Sequence, residues 1–245
     1  MKLSQSAYDH YWAEGWTVVE GVFARDEAEA LAGTALAVAE AELAVDASAF
    51  TADHAADGAI APRKIASPFT KHPAFAAFAL DQRLRGLVGA LLGKPGLLAI
   101  DQIFMKPPRF GTAKPYHQDN FYFRLDPADQ ALTAWIALDD VDEENGCLRY
   151  ISGSHRGPVL PHVAVPGEPH NLVPDPAAID LTRERLAPVG KGGVVFHHAK
   201  TLHTSHRNHS PRWRRGYATH WVGAGVTSDN GTLDNAYFHR AGYPR

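Results

Sequence analysis

The fold of this chain is indicated most clearly by residues 97–138, which read LLAIDQIFMKPPRFGTAKPYHQDNFYFRLDPADQALTAWIAL. Short apolar segments alternate there with turn residues, and the same pattern continues downstream. The candidate strands are 97–105, 116–123, 132–138, 147–151, 193–197 and 215–222. Strands this short and this numerous, mostly without helix-length segments between them, favour an antiparallel sandwich or barrel.

The preceding residues indicate a helical layer next to this β-core. Residues 26–44 are rich in Ala, Glu and Leu, which gives the segment good helix propensity. Pro73 suits the first turn of another helix, and Gly93 can end it. The remaining predicted elements are a helix capped by Ser4 and ending before Gly15, a strand at 16–19 and an irregular polar region at 45–70.

We expect these elements to form one domain over residues 1–245, helical over about 1–95 and β over about 96–245. One long segment, 157–190, interrupts the predicted strands and holds seven of the 17 prolines. A connection of this length in a compact domain is usually a functional lid or disordered. The sequence therefore predicts a mainly β protein with a helical wrapper and a lid insert.

Composition excludes several classes of protein. With 245 residues, of which 45% are hydrophobic and 21% charged, the chain can bury a large core. The 24 Lys and Arg against 27 Asp and Glu give a net charge of −3, whereas nucleic-acid-binding proteins usually carry a basic excess. The single Cys147 excludes intramolecular disulfides and multi-cysteine zinc sites. Since neither a secretory signal nor a membrane-length apolar run is present, we expect a cytoplasmic location and no membrane partner.

Histidine is frequent, with 14 residues, and the segment YHQDNFYF (116–123) carries His117 and Asp119. Side chains two apart on a strand project from the same face, so this imidazole and this carboxylate can bind one ion. His203 can supply a third ligand from another strand. Two histidines and one carboxylate leave three coordination positions open, as in non-haem Fe(II) oxygenases. The His-x-Asp pattern alone is a weak signal.

Arg214 strengthens this interpretation. It stands eleven residues after His203, at the head of a predicted strand. A buried arginine is costly unless an anion meets it, and its planar guanidinium suits bidentate capture of a carboxylate. Ser205 can add a hydroxyl to the same anion.

Several motifs in register resemble the phytanoyl-CoA dioxygenase family of Fe(II)/2-oxoglutarate-dependent oxygenases over nearly the whole chain. They are YWAEGWTVVEGVF (11–23), FMKPP (104–108), HQD (117–119), WIALDDVDEENGCLRYISGSH (135–155) and LHTSHRNHSPRWRR (202–215). The family more often has Pro where Ser152 stands. Together these motifs are far more specific than any one of them.

The resemblance implies a double-stranded β-helix, which is a cupin-like jelly roll. It implies that His117, Asp119 and His203 bind iron, and that Arg214 and Ser205 hold the distal carboxylate of 2-oxoglutarate. By position it adds three cosubstrate contacts: Lys64, Gln102 and Trp135. Gln102 departs from the Met of the relatives. Lys64 and Trp135 also fit a surface lysine and a core tryptophan.

The implied activity is oxidation of an aliphatic C–H bond, most directly hydroxylation. O2 and 2-oxoglutarate are consumed, and succinate and CO2 are released. Related halogenases have a small residue in place of Asp119, so its presence favours hydroxylation. The candidate substrate contacts are Asn120, Phe121, Tyr122 and His155. Asn208 and His220 are the candidates for orienting the metal ligands. For His155, a hydrogen bond that closes its own loop is the competing interpretation.

Other interpretations stay open. The same family includes cyclases and epimerases, and a catalytically silent jelly-roll binding protein would retain the fold. A zinc hydrolase would need a general base that the sequence does not indicate. The basic run with Arg207, Arg212, Arg214 and Arg215 resembles a nucleic-acid patch, but strand alternation points Arg214 in and Arg215 out. We expect a small metabolite or natural-product intermediate as the partner, because the 157–190 segment has few cations for a CoA ester. Oligomeric state is not indicated.

Overall fold

The computed structural model describes residues 1–48, 51–166, 168–241 and 243, without the side chains of 168–170. The α-helices in this part of the chain are α1 (Gln5–Glu14), α2 (Arg25–Leu43), α3 (Pro73–Ala79), α4 (Gln82–Leu92) and α5 (Asp119–Phe123). The first strands are β1 (Trp16–Val19), β2 (Ala52–His54), β3 (Ile60–Pro62), β4 (Lys64–Ala66), β5 (Gly96–Lys106), β6 (Lys114–His117), β7 (Leu125–Asp126) and β8 (Ala131–Ala137). The later strands are β9 (Leu148–Ile151), β10 (His162–Val165), β11 (Glu168–Pro174), β12 (Glu184–Ala187), β13 (Val194–His198), β14 (His203–Ser205), β15 (Arg214–Gly223) and β16 (Thr227–Ser228).

Two antiparallel sheets form the β-core. The large sheet has the strand order β1-β13-β8-β15-β5-β4, and the small sheet has the order β12-β9-β14-β6. Apolar residues of both sheets, including Trp135 and Val195 from the large one and Leu148 and Tyr150 from the small one, pack into one cluster. The arrangement is the jelly roll that the sequence predicts.

The other face of the large sheet carries the helical wrapper. Alternate residues such as Ile136 on β8 and Phe196 on β13 pack against Leu31 of α2 and Leu87 of α4, and all four are almost fully buried. Because neighbouring strand residues point to opposite faces, Trp135 and Val195 face the small sheet. The helices thus cover one side of the sheet and leave the other for a site between the sheets.

Local signals at the helix ends are confirmed. The Ser4 hydroxyl accepts a hydrogen bond from the Ala7 N–H at 3.1 Å, and Gly15 ends α1 with φ of +83°. Gly93 ends α4 in the same left-handed conformation. The predicted helix from Pro73 is interrupted, however, because Asp81 caps a second helix by accepting from the Arg83 N–H.

The predicted strand at 116–123 is wrong in its second half. Strand β6 ends at His117, and residues 119–123 form the short helix α5. The irregular region at 45–70 contains β2, β3 and β4, and the last of these extends the large sheet. Strand β14, which carries His203, is another element that periodicity does not indicate, because it is only three residues long.

The 157–190 segment is partly built into the core. Its first part forms the hairpin β10–β11, and its last part, β12, pairs with β9 as the edge of the small sheet. Its role as a lid stays a prediction. None of the helices within the described residues combines the length and apolar character needed to cross a membrane.

Candidate metal centre and cosubstrate cavity

A cavity of about 290 Å³ lies between the two sheets and is lined by strands of both. Its lining includes all of the metal ligands and cosubstrate contacts expected from the sequence: His117, Asp119, His203, Arg214, Ser205, Trp135, Gln102 and Lys64. Residues separated by up to 150 positions in the chain therefore meet at one place.

The three potential metal ligands are buried and adjacent. His203 on β14 pairs in register with His117 at the end of β6, and Asp119 opens α5. Oδ1 of Asp119 lies 3.8 Å from the Nε2 atom of each histidine, and the potential ligand atoms of the three residues all lie within 4.8 Å of one another. Two imidazoles and one carboxylate at this spacing suit a single divalent transition metal.

The backbone fixes the orientation of both imidazoles. Nδ1 of His117 lies 2.9 Å from the Pro115 carbonyl, and Nδ1 of His203 lies 3.0 Å from the Thr201 carbonyl. A carbonyl only accepts, so each Nδ1 carries the proton and each Nε2 keeps a lone pair. Both lone pairs are thereby available for a metal ion without any tautomeric change.

Protonation states at this centre also favour metal binding. Burial lowers the pKa of His117 well below its usual range and lowers the pKa of His203 to about 4. Burial alone would raise the pKa of Asp119, but the hydrogen bond from His197 and the neighbouring histidines hold that pKa well below its usual range. At neutral pH the centre offers two neutral imidazoles and one carboxylate, as metal ligation requires.

Arg214, at the start of β15, is only 2% exposed. Its Nε and Nη2 atoms are buried and have no hydrogen-bond partner among the described residues. Burial lowers the pKa of Arg214 to about 10, so its guanidinium remains charged at neutral pH. A buried cation with unused donors is costly unless an anion completes it, and a carboxylate matches its planar geometry.

Trp135 positions this guanidinium. Its ring centroid lies 4.5 Å from Cζ of Arg214, which is within cation–π range. The indole also covers Gly216, where an added Cβ would lie 1.7 Å from the ring. Residues 214, 216 and 218 share one face of β15. A glycine at the middle position therefore lets the tryptophan lie flat along the strand and reach the arginine.

The cavity lining is strongly cationic. Arg63, Lys64, Lys106, Lys114 and Arg214 contribute to it, whereas Asp119 is the one carboxylate among the described lining residues. These cations lie on and around β4, β5, β6 and β15 instead of in the 157–190 segment. Lys106, which the sequence pattern does not single out, is 5% exposed and pairs in register with Arg214. Its Nζ atom donates to the Thr112 carbonyl.

The expected substrate contacts divide into two groups. Tyr122 lines the cavity, whereas Asn120, Phe121 and His155 are not part of its lining. The Asn120 amide binds both backbone groups of Leu125, which closes the turn after α5. The Phe121 ring stacks on His162 at a centroid distance of 4.2 Å.

The His155 side chain lies against the C-terminal end of α1 and links that helix to the turn around residue 155. Its Nε2 lies 3.2 Å from the Trp12 carbonyl, and Gly153 N–H donates to the Glu14 carbonyl at 2.7 Å. Both are carbonyls of the last turn of α1, which have no partner inside the helix. The turn around His155 therefore caps α1 and attaches it to the β-core.

Substitution of His155 by alanine is expected to lower the free energy of unfolding by about 1–3 kcal/mol, because it removes a buried ring and its hydrogen bond. Urea denaturation measures this change. His239 is exposed, so His239→Ala serves as the control with little effect. Lost 2-oxoglutarate binding at full stability would instead support a role for His155 in the cavity.

The two residues expected to orient the metal ligands lie in different places. His220 lies 2.8 Å from the Thr133 hydroxyl, which in turn donates to Asp119. Asn208 instead binds the carbonyls of Lys106, Pro107 and Arg212 and organises the loop before β15. His220 is therefore connected to the metal centre through one side chain, whereas Asn208 supports the segment that leads to Arg214.

Two further residues at this centre, Thr133 and His197, are not indicated by motif spacing. Both are polar residues on the inward face of their strands: Thr133 lies on β8, which is otherwise apolar, and His197 lies on β13, which also carries His198. For Thr133 that placement is the one sequence signal, because polar groups at core positions need a partner. His197 also belongs to the five histidines at 197–209 (His197, His198, His203, His206 and His209), a cluster that indicates a metal or proton site.

Comparisons with known proteins agree with this geometry. The family model "Phytanoyl-CoA dioxygenase (PhyH)" matches residues 11–216. Phytanoyl-CoA dioxygenase domain-containing protein 1 of Mus musculus is 32% identical over 161 residues, which cover 63% of this chain and 55% of that protein. The peroxisomal phytanoyl-CoA dioxygenase of Bos taurus is 32% identical over 137 residues, which cover 53% and 41%. The chain spans about half the length of the curated relatives it matches.

Solved structures share the fold. EvdO2 from Micromonospora carbonacea var. aurantiaca, complexed with 2-oxoglutarate, superposes with a TM-score of 0.73 at 24% identity over 94% of each chain. SnoK, a non-haem α-ketoglutarate-dependent carbocyclase from nogalamycin biosynthesis, superposes with a TM-score of 0.74 at 26% identity over 94% of this chain and 88% of its own. Since the family model matches more than three quarters of the sequence, the chain belongs to the phytanoyl-CoA dioxygenase family.

Proposed function

We propose that this protein is a Fe(II)- and 2-oxoglutarate-dependent dioxygenase that hydroxylates an aliphatic C–H bond of a small molecule. One observation carries the proposal: a buried His–Asp–His trio and a buried arginine with unused donors line the same cavity. The trio suits a ferrous ion, and the arginine suits the free end of a dicarboxylate.

The residues present fit both groups. His117, Asp119 and His203 would hold iron, while Arg214 and Ser205 would hold the distal carboxylate of 2-oxoglutarate. When bound, iron supplies O2 activation coupled to the conversion of 2-oxoglutarate to succinate and CO2. Lys64 and Gln102 line the same cavity and are proposed as further cosubstrate contacts.

The protein contributes orientation and a buried environment. Trp135 stacks on the guanidinium and so limits the angle from which a carboxylate can approach Arg214. The buried ligands keep their lone pairs directed at one point because the backbone accepts both Nδ1 protons. Preorganisation of this kind lowers the cost of binding and strengthens electrostatic interactions inside the cavity.

Cavity size and charge support a small, acidic substrate. A volume of about 290 Å³ must hold both the cosubstrate and the reacting part of the substrate, which leaves little room for a large scaffold. The lining has five basic side chains. Burial and the neighbouring Arg214 lower the pKa of Lys106 well below its usual range, and an anionic substrate group would complement the charged members of the set. Tyr122 is the proposed aromatic contact, next to the metal ligands.

Cyclisation or epimerisation is the second candidate function. SnoK is described as a carbocyclase, and SnoN, with a TM-score of 0.71 at 25% identity, as an epimerase. Such outcomes need the same metal centre and cosubstrate, so they change the product and not the site. The expected cytoplasmic location stays a prediction; the bovine relative is described as peroxisomal.

The purified protein is expected to release succinate from 2-oxoglutarate only when Fe(II) and O2 are present, and faster with a true substrate. Chromatography of the organic acids measures the release, and mass spectrometry of a panel of small carboxylic acids shows an added oxygen for hydroxylation. A product that lacks two hydrogens and has no added oxygen would indicate cyclisation. A product of unchanged mass would indicate epimerisation. Tight 2-oxoglutarate binding without succinate under all conditions would support a silent binding protein.

A further inference from the structure

We infer that His197 is a positioning residue that holds the carboxylate of Asp119 with a single oxygen facing the metal. This inference rests on the proposed function. The two carboxylate oxygens have different surroundings: Oδ2 lies 2.7 Å from the Thr133 hydroxyl and 3.0 Å from Nε2 of His197. Oδ1 instead faces Nε2 of His117 and of His203, each at 3.8 Å.

Donor chemistry fixes the direction of the hydrogen bonds that Asp119 receives. An ionised carboxylate only accepts, so the Thr133 hydroxyl and the Nε2–H of His197 both donate to Asp119. In the neutral ring, Nδ1 of His197 then accepts from the Tyr150 hydroxyl at 2.8 Å. The Thr133 oxygen in turn accepts from Nδ1 of His220 at 2.8 Å. Each ring nitrogen of His197 has one partner: the Asp119 carboxylate requires a proton on Nε2, and the Tyr150 hydroxyl can donate to Nδ1.

Strand register holds the donors in place. His197 on β13 pairs with Thr133 on β8, and Thr133 pairs with His220 on β15, so the three form one row across the large sheet. His197 is 2% exposed, and Tyr150 is fully buried and stacked on Trp16 at a centroid distance of 5.1 Å. The row cannot move without disturbing strand pairing and this stack.

Two donors on Oδ2 direct Oδ1 alone to the metal. Asp119 would then bind through one oxygen, and with two histidines this leaves three coordination positions open. Loss of the His197 donor frees Oδ2 to turn toward the metal or to rotate away with the carboxyl group. Partners of metal ligands typically affect metal affinity by about 10- to 100-fold. The effect is on ligand geometry, since His197 itself is not one of the proposed ligands.

The test uses Co(II) as a probe, without cosubstrate or turnover. The variant His197→Phe keeps an aromatic ring but no donor, and we expect Co(II) affinity to fall about 10- to 100-fold in calorimetric titration. The visible d–d absorption of bound Co(II), which reports coordination number, is expected to change as well. His197→Gln keeps an N–H near the same point and should recover most of the affinity and the spectrum. His198→Gln is the matched control, because His198 binds Asp129 and not Asp119.

The outcomes separate this inference from the proposed function. If the wild-type protein binds no Co(II), or His203→Ala binds it equally well, the proposed metal site is wrong and the inference fails with it. If the wild-type protein binds Co(II) and folded His197→Phe matches its affinity and spectrum, the inference alone is overturned. Should His197→Phe not fold, Tyr150→Phe keeps the stack on Trp16 and removes only the hydroxyl. A few-fold weaker Co(II) affinity then supports the inference, and wild-type affinity contradicts it.

Discussion

Substitution of Asp119 by asparagine is expected to lower succinate release by at least about 1000-fold, which corresponds to about 4 kcal/mol of transition-state stabilisation. The reason lies in the hydrogen bonds around the side chain. Thr133 and His197 both donate to Oδ2, so an amide at this position must place its oxygen there. Its NH2 group then occupies the position of Oδ1, between the two histidines, and an amide nitrogen with two protons offers no lone pair to a metal.

A matched control is available at Asp129. Its Oδ1 also accepts from a histidine, Nε2 of His198 at 3.1 Å, but it lies outside the cavity lining. Asp129→Asn should therefore retain succinate release within about two-fold. Asp119→Ala should be no more impaired than Asp119→Asn, because alanine removes the ligand without directing N–H groups at the metal. An active Asp119→Asn protein with bound iron would contradict the assignment of Asp119 as a ligand.

The location of His117, Asp119, His203 and Arg214 in one cavity was predictable because each belongs to a motif that resembles the family; their roles as metal ligands and anion site stay proposals. The spacing from His203 to Arg214 and the position of Arg214 at the head of a strand need no knowledge of distant pairing. Helix ends were predictable for the same reason, since Ser4 and Gly15 act on their own backbone.

The interpretation of 116–123 as one strand had consequences for the site. Strand alternation would put residues 117, 119 and 121 on one face and residues 120 and 122 on the other. In the short helix α5, residues three apart share a face instead, so Asp119 and Tyr122 line the cavity and Phe121 does not. The change from strand to helix therefore explains why Tyr122, and not Phe121, faces the cavity beside Asp119.

The contacts of His197 and Thr133 with Asp119 could not be predicted, and the reason is different. Their contact with Asp119 depends on the register between β8 and β13, whose partners are about 60 positions apart in the chain. A shift of one residue in either strand would turn these side chains to the helical face. Lys106 is similar, because its position beside Arg214 follows from the pairing of β5 with β15.

Replacement of Arg214 by methionine is expected to change cosubstrate affinity and protein stability in opposite directions. Removal of one partner from a buried charged pair typically costs 2–5 kcal/mol, so the Kd for 2-oxoglutarate should rise by roughly 30-fold to several thousand-fold. Without cosubstrate, however, the guanidinium is buried with two donors unused. An apolar side chain of similar length removes that desolvation cost and should stabilise the free protein by about 1 kcal/mol or more.

The next residue of the strand provides the control with the reverse result. Arg215 faces the helical side, where its Nε and Nη2 bind the Asp139 carboxylate at 2.9 and 2.7 Å and its Nη1 binds the Ala32 carbonyl. Arg215→Met leaves the buried Asp139 carboxylate with the backbone N–H of residue 215 but without its cationic partner, so we expect the variant to lose about 3–5 kcal/mol of stability and to keep 2-oxoglutarate affinity in the folded fraction. Thermal unfolding with and without 2-oxoglutarate measures both effects, because a bound ligand raises Tm only where affinity is retained. Equal destabilisation by the two substitutions would mean that Arg214 is paired within the protein and has a structural role. Adjacent arginines with opposite effects would instead show that strand alternation divides the basic run between an anion site and a structural ion pair.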